Sequence, residues 1–314
     1  MMKIKSSLND IRRESSLLGI NLDILIALSP SVFWSIFLYG THALLLLATS
    51  VMISVVADVL ICALLKRNLI TSFDLSAVVC GVVLTLLLPV SASCITVAVM
   101  AFISVTASRA IPLFEKLPLC PLALVLAVAS LFMKDELTSF PPLSLSTSGQ
   151  AVSNNVYPIT SLIAETTPDN QWYELFFGSV CGPMGTVSVF LILAGAIYLF
   201  ARRIASFKAV VAFMVGVAGC AYFVTGSANP FEVVLYTCLT GQFLFGAVFC
   251  VSLPMWRTTD TRFELLIPAL GGVISVLTAF KFSLLSVPIA ALAVGVLSCL
   301  TLLLKPSQPP FGGE

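Results

Sequence analysis

The chain has 314 residues, 59% of them hydrophobic and only 10% charged, with a formal net charge of +1 and a mean hydropathy of +1.07. Soluble domains carry about 25% charged residues, so this composition excludes a soluble enzyme, and the balanced charge gives no footing for a nucleic-acid partner. Apolar tracts recur along the whole length and exceed the roughly 20 residues needed to cross hydrocarbon, which predicts an all-α fold, a polytopic membrane helix bundle.

In chain order, Lys3, Lys5, Arg12 and Arg13 precede a first apolar segment that runs on into a hairpin, so no cleavable leader is expected. Apolar runs between charge and turn signals then predict ten spans: 20–40, 42–65, 75–90, 92–111, 118–133, 183–201, 206–225, 232–254, 263–281 and 284–304. With a cytoplasmic N-terminus, fourteen of the sixteen basic residues fall on the cytoplasmic side, and only Lys134 and Lys281 fall outside. That bias supports an even number of spans and places both termini in the cytoplasm of a bacterial cell, with the chain in its inner membrane.

Between the fifth and sixth spans lies the one long polar stretch, "SLSTSGQAVSNNVYPITSLIAETTPDNQWYE", Ser144 to Glu174. It is assigned to the outer face, and it divides the chain into residues 1–133, an external loop 134–182, and residues 183–314. "GVVLTLLLPV" (Gly81 to Val90) in the third span is echoed by "GAVFCVSLPM" (Gly246 to Met255) in the eighth, each with a proline at its ninth position. Five spans per half is an odd number, so two such halves would be inverted in the bilayer, an arrangement that puts binding sites near the midplane at broken helices. Glycine and proline are also common in membrane helices without any repeat.

Several phrases together resemble the membrane flavoprotein family that contains RnfD of the Rnf electron-transport complex and NqrB of the sodium-pumping NADH:quinone reductase. They are "GINLDILIALSPSVFWSIFLYG" (Gly19 to Gly40), "DLSAVVCGVVLTLLLPV" (Asp74 to Val90), "FFGSVCGPMGTVSVFLILAGAIYLFARR" (Phe176 to Arg203) and "LTGQFLFGAVFCVSLP" (Leu239 to Pro254). The resemblance covers nearly the whole chain, keeps the order of the motifs, and is closest to RnfD. It implies a subunit of a redox-driven pump that oxidises ferredoxin or NADH on partner subunits and exports sodium ions or protons, relaying electrons through flavin mononucleotide (FMN), with riboflavin as a possible second flavin. In that family a flavin transferase esterifies the phosphate of FMN to a threonine in the external loop. The matching phrase here is "NNVYPITSL", which puts Thr160 at the attachment position and Asn154 where the family has an acidic residue. Thr167 in "ETTPD" is the second candidate, and an unmodified loop is the third reading.

Gly178, Gly182 and Gly185 open the sixth span and suit a close backbone approach to a phosphate or ring, or else helix packing through small residues. Tyr157, Trp172, Tyr173, Phe176 and Phe177 suit either a flavin cover or an interfacial belt. Asp23 and Asp58 lie inside spans, where charge is costly, and are candidates for an ion or proton pathway or for interfacial pairing with Lys66 or Arg67. His42 is expected at the outer interface, and the nine cysteines, without a CxxC pair, as small core residues. No P-loop, dinucleotide fingerprint or Ser/His/Asp set is present, so any NADH or ferredoxin chemistry falls to partner subunits. Two other functions fit the same pattern: a flavin-free structural subunit of such a complex, and a solute channel or secondary transporter with inverted repeats.

Overall fold

A computed structural model of the chain describes residues 2–65, 75–110, 120–133, 172–178, 180, 182–224, 230–253, 265–279 and 286–304. Every regular element among them is a helix: α1 (Met2–Tyr39), α2 (Thr41–Leu64), α3 (Ser76–Leu86), α4 (Cys94–Ala110), α5 (Pro121–Phe132), α6 (Trp172–Phe177), α7 (Val189–Ala201), α8 (Phe207–Val224), α9 (Pro230–Leu239), α10 (Gly241–Phe245) leading into a π-helical turn (Gly246–Val251), α11 (Leu266–Ala279) and α12 (Ser286–Leu304). Each of the ten expected stretches contains an apolar helix, so the protein is a multi-pass helix bundle. The apolar side chains it leaves on its surface, among them Phe33, Ile95, Phe132 and Phe223, suit hydrocarbon and not water.

The helices differ in length from a uniform set of spans. Three are long and apolar enough to cross a membrane alone: Leu17–Tyr39 within α1, then α2 and α8. The α9 and α10 helices, with the π turn, form a fourth candidate bent by 55°. Among the rest, α3, α4, α7 and α11 are shorter apolar helices. Helix α1 begins well before the expected 20, because nothing between Met2 and Leu18 is a glycine or proline and the polar register is compatible with a helix. Its 38 residues are about 57 Å long at 1.5 Å per residue, beyond the roughly 30 Å of hydrocarbon. A single residue, Gly40, then turns the chain into α2; its φ of 69° is one that a side chain would strain.

The third span is half a helix. Helix α3 stops at Leu86 because Pro89 has no N–H to donate and its ring obstructs the preceding turn. Helix α4 restarts where the Ser93 hydroxyl caps the Thr96 N–H at 3.1 Å. Residues 87–90 just after α3 are buried, and buried peptide groups require partners. A second irregular segment, residues 182–188 ahead of α7, supplies them. Leu86 O accepts from Gly185 N at 2.7 Å, and Leu88 O accepts from Met184 N at 3.1 Å.

The neighbour scheme of α1 to α5 recurs in α7 to α12. Helix α2 packs on α3 and α4 as α8 packs on α9 and α11, α4 packs on α5 as α11 packs on α12, and α1 meets α3 as α7 meets α10. The two sets join through α1 against α7 and α5 against α12. At two crossings glycine lets backbones meet: a Cβ on Gly216 of α8 would run into the Ala269 carbonyl of α11, and one on Gly272 of α11 into the Phe213 carbonyl of α8. One apolar core runs through both sets, with Phe213, Phe243, Phe245 and Phe249 fully buried in it.

Candidate functional site

The two broken segments meet against α1, and this junction is the chemically distinctive part of the bundle interior. Ser35 of α1 donates to Met184 O at 2.7 Å, and Tyr39 donates to Gly182 O at 3.1 Å. Thr186 turns its hydroxyl back onto Pro183 O at 3.2 Å, and Gly241, at the bend between α9 and α10, lies so close to Thr186 O that a side chain there would collide with it. The junction therefore gathers α1, the end of α3, the start of α7 and the bend before α10.

Of the three glycines predicted to approach a ligand, two face protein atoms. A Cβ on Gly185 would lie 2.5 Å from Leu86 Cβ. Gly178 has a φ of 92°, and a Cβ there would lie 2.7 Å from Ser188 Cβ and 3.0 Å from the Trp34 indole nitrogen. Gly182 offers its carbonyl to Tyr39. Gly178 and Gly182 thus lie against α1, and Gly185 against the end of α3. Thr160, Thr167 and Asn154 lie outside the described residues.

Beside Gly178 the Trp34 indole N–H is buried without a hydrogen-bond partner, a donor left over where such groups are normally satisfied. Aromatic rings cluster nearby in the chain: Phe176 and Phe177 of α6 stand edge to face at 5.3 Å, and Phe176 lies 5.9 Å from Phe190 of α7. Trp172, Tyr173 and Phe177 are exposed, as is His42.

Asp23 and Asp58 are buried, and each is held by an arginine that ends another helix. Arg109, in the last turn of α4, donates from Nε to Asp58 Oδ1 at 2.8 Å and from Nη2 to Ser76 Oγ at 3.0 Å. Arg202, just past α7, donates from Nε and Nη2 to Asp23 Oδ2 at 3.1 and 3.0 Å, while Tyr198 donates to Asp23 Oδ1 at 2.8 Å. Its hydrogen bonds to the Asp23 carboxylate raise the Arg202 guanidinium further above its usual value. Arg202 and Arg109 thus pair with Asp23 and Asp58; Lys66 and Arg67, the partners expected from the sequence, lie outside the described residues. No pairing rule links residue 23 to residue 202. The one signal available was that both arginines close apolar helices on the predicted cytoplasmic side.

Cys62, Cys80, Cys94, Cys120, Cys220, Cys238 and Cys250 are free, and among the described residues no group of three or more His, Cys, Asp or Glu is placed to hold a metal ion. The junction offers carbonyls, hydroxyls and one indole N–H. Among the described residues, that set can position a ligand or conduct protons.

A multi-pass helix bundle whose broken helices meet at a buried junction defines the class of protein. The chain belongs to the NQR2, RnfD, RnfE family, whose model matches residues 5–294. It is 35% identical over 111 residues to the NqrB component of the Na(+)-translocating NADH-quinone reductase of Chromohalobacter salexigens, covering 34% of this chain and 27% of that protein. The equivalent components of the same reductase in Pseudomonas aeruginosa and Pseudomonas paraeruginosa are 32% identical over 111 residues, covering 34% of this chain and 28% of theirs. The chain thus spans about a quarter of the length of the curated relatives it matches.

Proposed function

We propose that this chain is a membrane subunit of a redox-driven, ion-translocating electron-transport complex in a bacterial inner membrane. The donor, NADH or ferredoxin, is oxidised on partner subunits, and sodium ions or protons are exported. The chain's place is that of the flavin-carrying membrane component, with its functional counterpart in RnfD of the Rnf complex, both termini in the cytoplasm and the two five-helix sets inverted. The observation that carries this reading is family membership along residues 5–294, which also favours it over a solute channel.

FMN esterified to Thr160 supplies one- and two-electron chemistry when bound. Two features of the described residues fit such a group: the partnerless Trp34 N–H, able to donate to a ring carbonyl, and the exposed rings of Trp172, Tyr173 and Phe177. Two features favour a flavin-free structural role as the second reading: protein atoms fill the open sides of Gly178 and Gly185, and Asn154 replaces the family's acidic residue.

Peptide mass and in-gel flavin fluorescence of the protein purified from its native membrane separate the two. The proposal expects an increment of about 438 Da, one phosphoester-linked FMN, that vanishes in Thr160→Ala. Unmodified, non-fluorescent wild-type protein would leave the structural role.

A further inference from the structure

Arg202, Arg203 and Lys208 fall within seven residues on the turn between α7 and α8, and from Leu175 to Phe231 the chain carries no aspartate or glutamate. Arg202 is engaged by Asp23. Arg203 and Lys208 are exposed, and among the described residues neither forms an ion pair.

The turn that presents them is fixed from within. Arg203 N donates to Phe200 O and Ile204 N to Leu199 O, each at 3.0 Å, the pair of bonds that closes a helix through a left-handed residue. Ala205 and Ser206 are buried, and Ser206 N donates to Ser252 O at 3.3 Å. Glycine usually fills the left-handed position, because it has no Cβ to crowd the following carbonyl. Here Arg203 fills it, with a φ of 58°. Lys208 stands in the first turn of α8, the end of a helix whose dipole favours negative charge. Both cations thus occupy positions that the backbone disfavours, and outliers of this kind gather where a side chain holds a ligand.

The surroundings say which ligand. Helix α8 is long and apolar enough to cross a membrane, and its span begins at Phe207. Phe207, Val211 and Val215, four residues apart on one side of α8, are exposed. Arg203 and Lys208 therefore lie where hydrocarbon meets headgroups, with an apolar track leading from them into the bilayer. A soluble anion would complement the charges and leave that track unused. A phospholipid of net negative charge complements both.

We infer that the α7–α8 turn is a docking surface for an anionic phospholipid, with Arg203 and Lys208 on the headgroup phosphate and Phe207, Val211 and Val215 along an acyl chain. The site requires only that the chain spans a membrane, and it stands whether or not the protein carries flavin.

The test reconstitutes the full chain in phosphatidylcholine vesicles with a trace of phosphatidylglycerol that bears a photoactivatable group at the top of one acyl chain. A parallel sample carries the same group on phosphatidylcholine, and cross-links are mapped by peptide mass. Phosphatidylglycerol should label residues 204–215 about five-fold more than phosphatidylcholine or better, the attraction of a single surface cation for anionic lipid being of that size. Arg203→Gly should cut the preference by a similar factor. Its thermal midpoint in neutral detergent should equal or exceed that of the wild type, since glycine suits the position. Arg203→Lys keeps the charge and should keep the label. Equal labelling by the two lipids in the wild type, or a preference that survives Arg203→Gly with Lys208→Gln, overturns the site. A lowered midpoint in Arg203→Gly would assign the arginine to the fold and overturn it as well. Excess inorganic phosphate should displace the probe no more than sodium chloride of equal ionic strength does; a larger displacement makes the ligand a soluble anion and overturns the lipid assignment.

Discussion

The two buried carboxylates are held by the same device in different settings. Asp58 is paired within the first five helices, and the side chains of Arg109 and Asp58 are 18% and 6% exposed. Asp23 is paired between the two sets of helices, and the side chains of Arg202 and Asp23 are 59% and 11% exposed. A desolvated ion pair matters mainly through what happens when one partner is lost, because the remaining charge is stranded. A guanidinium that reaches water can be lost at little cost, since solvent screens the carboxylate left behind. The first pair therefore fixes α2, α3 and α4 together, and the second is a separable latch between α1 and α7.

Arg109→Ala should break the comparison hardest. It leaves Asp58 charged and buried, a loss of about 3–5 kcal/mol, visible as a fall in the thermal midpoint of the purified protein. Adding Asp58→Asn should recover much of that, because the buried charge goes with its partner. Gly195→Ala should come next. A Cβ there would run into the Ala27 carbonyl of α1, and overpacking of this kind costs about 1–3 kcal/mol. If α1 and α7 are joined by packing and only trimmed by charge, Gly195→Ala will lower the midpoint more than Arg202→Ala does. Tyr198→Phe should have the smallest effect, and a double-mutant cycle with Arg202→Ala should detect coupling between them through Asp23. A larger loss in Arg202→Ala than in Arg109→Ala would reverse the assignment of anchor and latch.

Much of the fold was legible in the sequence because hydrocarbon imposes length and polarity on every span. All ten apolar stretches hold helices, and within the described residues the echo between Gly81 to Val90 and Gly246 to Met255 covers α3 with its following break and the π turn. Pro89 announced the break after α3. The bend at Thr240 carried no comparable signal, whereas the π turn, where Ser252 N reaches back to Ala247 O and the helix gains a residue, ends three residues before Pro254, the counterpart of Pro89.

The site was legible only in part. Two charges inside spans require partners, and that much follows from solvation. Which arginine answers which aspartate depends on the contact of α1 with α7 and of α2 with α4, pairings between segments that periodicity cannot order. The same limit hid the pairing of Leu86 and Leu88 with Gly185 and Met184. It also hid that Gly178 and Gly185 are filled by Trp34, Ser188 and Leu86, a fact of tertiary contact.

The most direct test of the account uses membrane vesicles from cells with the chain present, deleted, or restored from a plasmid, supplied in turn with NADH and reduced ferredoxin while ion uptake is recorded. The account predicts donor-driven uptake that disappears on deletion and returns with the wild-type chain. Uptake of equal size in the deleted strain would contradict the chain's role in the pump.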